Sequence, residues 1–199
     1  MTATYRLFIA IELPQPAITA LTTLQKQLRD TPSIRWVKPT QMHLTLQFLG
    51  DVKVTELDRL IAAMNRTIPQ NPAFSLNIDG LGAFPNIKRP RVIWAGVKGE
   101  LKQLTRLYQS TVDATQTIGI QPENRPFNAH LTLGRANQKV RSQDYKQISE
   151  VLTRYQLQIG RLATISVEQV SLIRSQLKPG GPTYTNLAEI KLGSTCLST

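Results

Sequence analysis

Both histidines of the 199-residue chain head the same four-residue word. His43-Leu44-Thr45-Leu46 and His130-Leu131-Thr132-Leu133 repeat it letter for letter. Imidazole titrates close to neutral pH, so one of a pair can act as an acid while the other acts as a base. A threonine stands two residues after each histidine, and its hydroxyl can donate to a phosphate oxygen. Together these residues could run acid–base chemistry on a phosphate ester. Two imidazoles could also bind a metal. The chain has a single cysteine, Cys196, and its carboxylates Asp51 and Glu123 stand several residues from the words. The expectation is therefore a site without metal or cofactor.

The elements that carry the words follow from period-two alternation. Met42, Leu44, Leu46 and Phe48 alternate with His43, Thr45 and Gln47, which reads as a half-buried strand. His43 and Thr45 then share the face turned away from the core, as do His130 and Thr132. By the same parity Phe48 is expected in the core. Strands hold such groups more rigidly than loops do.

Around them, helix and strand segments alternate. Arg6–Glu12 reads as a strand closed by Pro14 and Pro16, and Ile18, Leu21, Leu24 and Leu28 recur at helical spacing. The first word lies in the region Trp36–Leu49, ending at Gly50-Asp51. Thr55 with Asp58 resembles a capping box for a helix striped by Leu57, Leu60, Ile61, Met64 and Ile68. Phe74, Leu76 and Ile78 alternate in a strand, and another runs from Arg91 to Val97. Leu101, Leu104, Leu107, Tyr108 and Val112 mark a helix before the second word. Ile148, Val151, Leu152 and Tyr155 mark one after it, and strands follow near Ile165–Ile173 and Tyr184–Leu192. Each half runs helix, motif strand, helix, strands, as a duplication would leave it. The fold class expected is α+β: two pseudo-symmetric lobes, each a mainly antiparallel sheet with outer helices, facing across a cleft that carries the two words. Residues 1–199 are expected to form a single bilobal domain.

Composition narrows the partners. With 41% hydrophobic residues the chain can bury a sizeable core, and its formal charge is +11, from 24 Lys and Arg against 13 Asp and Glu. Such a balance favours polyanions, nucleic acid first. One cysteine rules out an intrachain disulfide and fits a reducing, cytoplasmic setting. The apolar run Leu7–Ile11 is of strand length, too short for a signal peptide or membrane span. A soluble monomer with no membrane partner is expected.

Five blocks resemble, in order, the RNA 2′,3′-cyclic phosphodiesterase family of the two-histidine phosphoesterase superfamily, also known for 2′-5′ RNA ligase activity. They are Arg6–Pro14; Trp36-Val37-Lys38-Pro39 leading into His43–Gly50; Gly82–Pro85 with Arg89–Val97; Phe127–Arg135; and Ser175–Leu177 with Gly180–Tyr184. One departure is Ala129, where family members commonly place proline before the second histidine; the backbone is less constrained there, and no reacting group is lost.

The resemblance implies hydrolysis of RNA 2′,3′-cyclic phosphate ends, or of small cyclic nucleotides. His43 would donate a proton to the leaving 3′ oxygen, and His130 would accept one from water, leaving a 2′-phosphate. Thr45 and Thr132 would bind the phosphate oxygens, and Arg135 would pair with the phosphate as a fixed cation. From the residues alone the two words are identical and the roles stay open. By strict alternation Arg135 points away from His130, so the chain is expected to bend at Gly134 or the side chain to reach round the strand end. Lys88, Arg89 and Arg91 read as a solvated loop that could guide RNA. Trp36 and Tyr184 are candidates either for base contact or for packing. Two alternatives stand beside hydrolysis: 2′-5′ ligation by the same site in reverse, without an ATP-binding GxxxxGK word, and non-catalytic binding of RNA phosphate ends.

Overall fold

The apolar alternation around both words does form strands, and the helical stripes form the helices that cover them. The computed structural model describes residues 3–179 and 181–194; Gly180 and Cys196 lie outside the described residues. In chain order the elements are β1 (Thr4–Glu12), α1 (Gln15–Gln27), β2 (Ile34–Trp36), β3 (His43–Lys53), α2 (Leu57–Thr67), β4 (Phe74–Phe84), β5 (Val92–Gly99), α3 (Leu101–Gln116), β6 (His130–Ala136), α4 (Ser142–Gln158), β7 (Arg161–Val167), β8 (Gln169–Lys178) and β9 (Gly181–Lys191). The architecture is α+β, with two antiparallel sheets. Among the described residues no helix is long and apolar enough to cross a membrane.

Two local expectations change. Thr55 does not cap α2: it lies in a 3-10 turn, Val54–Glu56, and no side chain caps the helix. The Leu57 amide donates to the Val54 carbonyl instead, so the tightened turn satisfies a donor that a capping hydroxyl would otherwise serve. The first motif strand also continues past Gly50 to Lys53. Gly50 adopts φ +68° beside a bulge opposite Leu7/Phe8, a left-handed conformation that favours glycine.

The sheets are ordered β3-β1-β8-β9 and β2-β6-β5-β4-β7. Neither is a contiguous half of the chain. The first half gives β4 to the sheet of the second word, and the C-terminal strands β8 and β9 complete the sheet of the first. The helices cross in the same way: α1 packs on β7 and α3 on β3, whereas α2 packs beside β9 and α4 on β4. One contiguous apolar core joins the two lobes, drawing Ile9, Leu44 and Leu131 from strands and Leu21, Leu107 and Leu152 from helices, all at most 2% exposed. Each such side chain contributes about 1.5–3 kcal/mol of burial relative to exposure. A smaller cluster, Phe8, Ala10 and Ile173 with Tyr184, lies on the opposite face of the first sheet, toward the cleft.

β3 is an edge strand, and β6 pairs with the short β2 only from Gly134 onward. His43–Leu46 of β3 and His130–Thr132 of β6 therefore have no strand partner on one side, and β3 and β6 adjoin. That junction forms the floor of the site.

Candidate active site

A strict two-residue period would carry the words and little else to the cleft. The structure breaks the period at the same place in both strands. In β3, Ala10 pairs with Thr45 and Ile9 with Gln47, leaving Leu46 as an extra residue. In β6, Trp94 pairs with Thr132 and Ile93 with Gly134, leaving Leu133 extra. A one-residue bulge reverses the facing of everything beyond it. Arg135 is therefore brought onto the His130 and Thr132 face by the bulge, with no need to reach round the strand end. Phe48, at the matching position after the first word, turns out of the core and is 56% exposed. Gln47 takes the inward place, 5% exposed, and its amide donates to Thr115 Oγ1 of α3 at 3.0 Å. The expectation of a buried Phe48 fails because alternation carries no signal for a bulge.

All five expected site residues line one cavity of about 740 Å³: His43, Thr45, His130, Thr132 and Arg135. Arg6, Arg35, Lys38 and Lys178 also line it, as do Trp36 and Tyr184. Trp36 lies so close to Gly134 that a Cβ there would come within 2.9 Å of the indole.

The His130 imidazole is oriented by the carbonyl two residues before it. His130 Nδ1 lies 2.7 Å from the Asn128 oxygen. A carbonyl can only accept, so Nδ1 carries the proton and Nε2 is left as the free acceptor in the neutral ring. The Gln41 backbone, two residues before His43, likewise favours the protonated ring there. Its ring stacks on Phe8 at 4.7 Å between centroids and meets the edge of Tyr184 at 5.4 Å. Burial among these rings pushes the His43 pKa down to about 4, against the opposing pull of the Gln41 carbonyl and the Glu12 carboxylate, with Arg135 adding to the lowering. Burial also raises the Tyr184 hydroxyl. His130 sits edge-on to Phe84 at 4.9 Å.

Several neighbours carried no signal in the sequence. Glu12 is the cross-strand partner of His43, and its carboxylate accepts from Ser171 Oγ and Asn186 Nδ2, each at 2.8 Å. Gln41 Nε2 donates to the Pro182 carbonyl at 2.6 Å, tying the approach to His43 to the β8–β9 hairpin. These pairs are far apart in sequence, and only sheet pairing joins them. A second cavity of about 730 Å³ opens beside the first and shares Thr45, Phe48 and His130 with it. Lys88, Arg89 and Arg91 are all exposed, as a solvated loop would be; Arg89 and Arg91 also line that cavity and Lys88 does not. Among the described residues no three His, Cys, Asp or Glu side chains gather into a metal-binding group.

Two imidazole–hydroxyl pairs lining a cationic cavity suit acid–base chemistry on a phosphoester, and the fold delivers them from two related strands. The sequence model of the LigT-like phosphoesterases matches the chain twice, over residues 11–94 and 96–184, with one word in each match. The chain belongs to that family and is a hydrolase, like its relatives named RNA 2′,3′-cyclic phosphodiesterase. An Aquifex aeolicus relative named RNA 2′,3′-cyclic phosphodiesterase is 35% identical, over 80% of this chain and 82% of its own. The crystal structure of TT0787 from Thermus thermophilus superposes with a TM-score of 0.79 at 30% identity, covering 96% of this chain and 99% of that one. E. coli LigT complexed with 3′-AMP superposes at 0.75 and 26% identity, with the same coverage. The double match carries the pseudo-symmetry read from the two words.

Proposed function

We propose that the protein hydrolyses RNA 2′,3′-cyclic phosphate ends to 2′-phosphate ends, acting as a monomer without a metal ion. The observation that carries this reading is the convergence of His43, Thr45, His130 and Thr132 on one cavity with Arg135 beside them. His130, with Nδ1–H held by Asn128, presents a lone pair that can take a proton from water. His43 protonates the 3′ oxygen as the ring opens. In the free protein burial keeps His43 neutral near pH 7. A bound phosphate supplies the negative charge that raises its pKa, so the proton is loaded with the substrate. Thr45, Thr132 and Arg135 donate to the non-bridging oxygens as charge builds there. The names of the relatives and the 3′-AMP complex of E. coli LigT support the same substrate class.

The test is incubation of a short RNA bearing a 2′,3′-cyclic phosphate with excess chelator, followed by phosphorus NMR. A 2′-phosphate product is expected, and it should vanish with His43→Ala or His130→Ala while circular dichroism shows folded protein. A longer RNA product would assign ligation instead, and an intact cyclic end bound by folded protein would assign end-binding. Loss of turnover on chelation would overturn the metal-free mechanism.

A further inference from the structure

We propose that the second cavity holds the nucleotide on the 5′ side of the reacting end, so that the enzyme prefers RNA ends to cyclic mononucleotides. This rests on the hydrolase reading above. The cavity containing both words, at about 740 Å³, falls within the 300–1,000 Å³ range, roughly, of small-molecule sites. It accommodates the cyclic phosphate with its own ribose and base. The adjoining cavity, about 730 Å³, is surplus to that need, and it reaches the reacting groups through Thr45, Phe48 and His130.

The walls of this second cavity have the chemistry of a nucleotide. Tyr108 of α3 and Phe127 stack on one another, 4.5 Å between centroids and 6° from parallel, so the pair offers a base only an outer face, and the exposed Phe48 stands on the side shared with the catalytic cavity. Aromatic faces of this kind stack bases without regard to sequence. Arg89, Arg91 and Arg125 line the same space, with Glu123 as its lone carboxylate. All three arginines are exposed, and among the described residues none forms a salt bridge. Guanidinium groups pair with phosphodiester oxygens. An apolar ligand would not call for three guanidiniums, and a free phosphate would not call for stacked rings. A phosphodiester-linked nucleotide uses both.

The experiment compares a 2′,3′-cyclic mononucleotide with a trinucleotide ending in the same cyclic nucleotide, for the wild type and for the Arg89→Gln/Arg125→Gln double variant. The wild type is expected to favour the trinucleotide by about ten-fold or more in kcat/KM, as one stacked base and one paired phosphate would give. The variant should lose most of that preference, with mononucleotide hydrolysis changed by less than about two-fold, since neither side chain lines the catalytic cavity. Equal kcat/KM for the two lengths would overturn the proposal. So would an equal loss on both substrates, which would place the terminal nucleoside itself in this cavity. Failure to open either substrate would instead remove the hydrolase reading, and this inference with it.

Discussion

His43 is held between two opposing demands. Its ring is packed against Phe8 and Tyr184, which fixes its position but penalises its charged form. The folded-state pKa, about 4, lies below the unfolded value of about 6.5. Between those values the unfolded chain binds a proton that the folded chain does not. Stability from this group is therefore full above pH 6.5, roughly, and falls as the pH drops toward 4. The loss across the window is on the order of 3 kcal/mol. Urea unfolding from pH 7 to 4.5 is expected to show this slope, and His43→Gln should flatten it. An unchanged slope in the variant would assign the pH dependence to other groups. His43, His130 and their threonines were legible from residue type and repetition alone. Glu12, which faces His43 across the sheet, was not, because its contact follows from the pairing of β1 with β3.

At the scale of elements, the paired bulges at Leu46 and Leu133 matter most. They make two strands that share the four-residue word and differ beyond it present a third side chain on the face of the histidine, Phe48 from one and Arg135 from the other. The second bulge is tethered from below. Buried Gln25 of α1 donates its amide to the carbonyl of Leu133 at 2.8 Å and to that of Val37 at 2.9 Å. Gln25→Leu removes both bonds and is expected to lower the unfolding free energy by about 1–3 kcal/mol. Because the tether ends at the bulge that aims Arg135, kcat/KM should also fall. A variant as stable as the wild type would show that β5 and the Val37 amide, which donates to the Leu133 carbonyl at 2.9 Å, hold the bulge without Gln25. The helices and longer strands were legible from periods of 3.6 and two residues; the three-residue β2, Ile34–Trp36, was not, and Trp36 belongs to it and not to the first motif strand. The bulges were not, because an extra residue in a ladder is defined by the partner strand.

At the scale of the molecule, the two halves are related but interlocked. Each sheet takes strands from both halves, and α1 and α3 cover the lobe opposite to their own motif strand. We propose on this basis that residues 1–199 fold as one unit. Denaturation is expected to follow a single transition by both fluorescence and circular dichroism. Separately expressed halves, divided between the two family matches, should remain unfolded; a folded half would refute the proposal. Each half alone would expose the apolar faces of helices that belong on the other lobe.

The sequence by itself determined the two imidazole–hydroxyl pairs, their repetition, the fold class and the strands that carry them. Residue chemistry and periodicity are local properties, readable within one segment. Tertiary structure alone decided which strands share a sheet, where the two ladders bulge, and that Phe48 and Arg135 turn into the cleft while Gln47 turns away. Each of these depends on a partner distant in the chain, and an amino-acid pattern says what a segment can form without naming the segment it will meet.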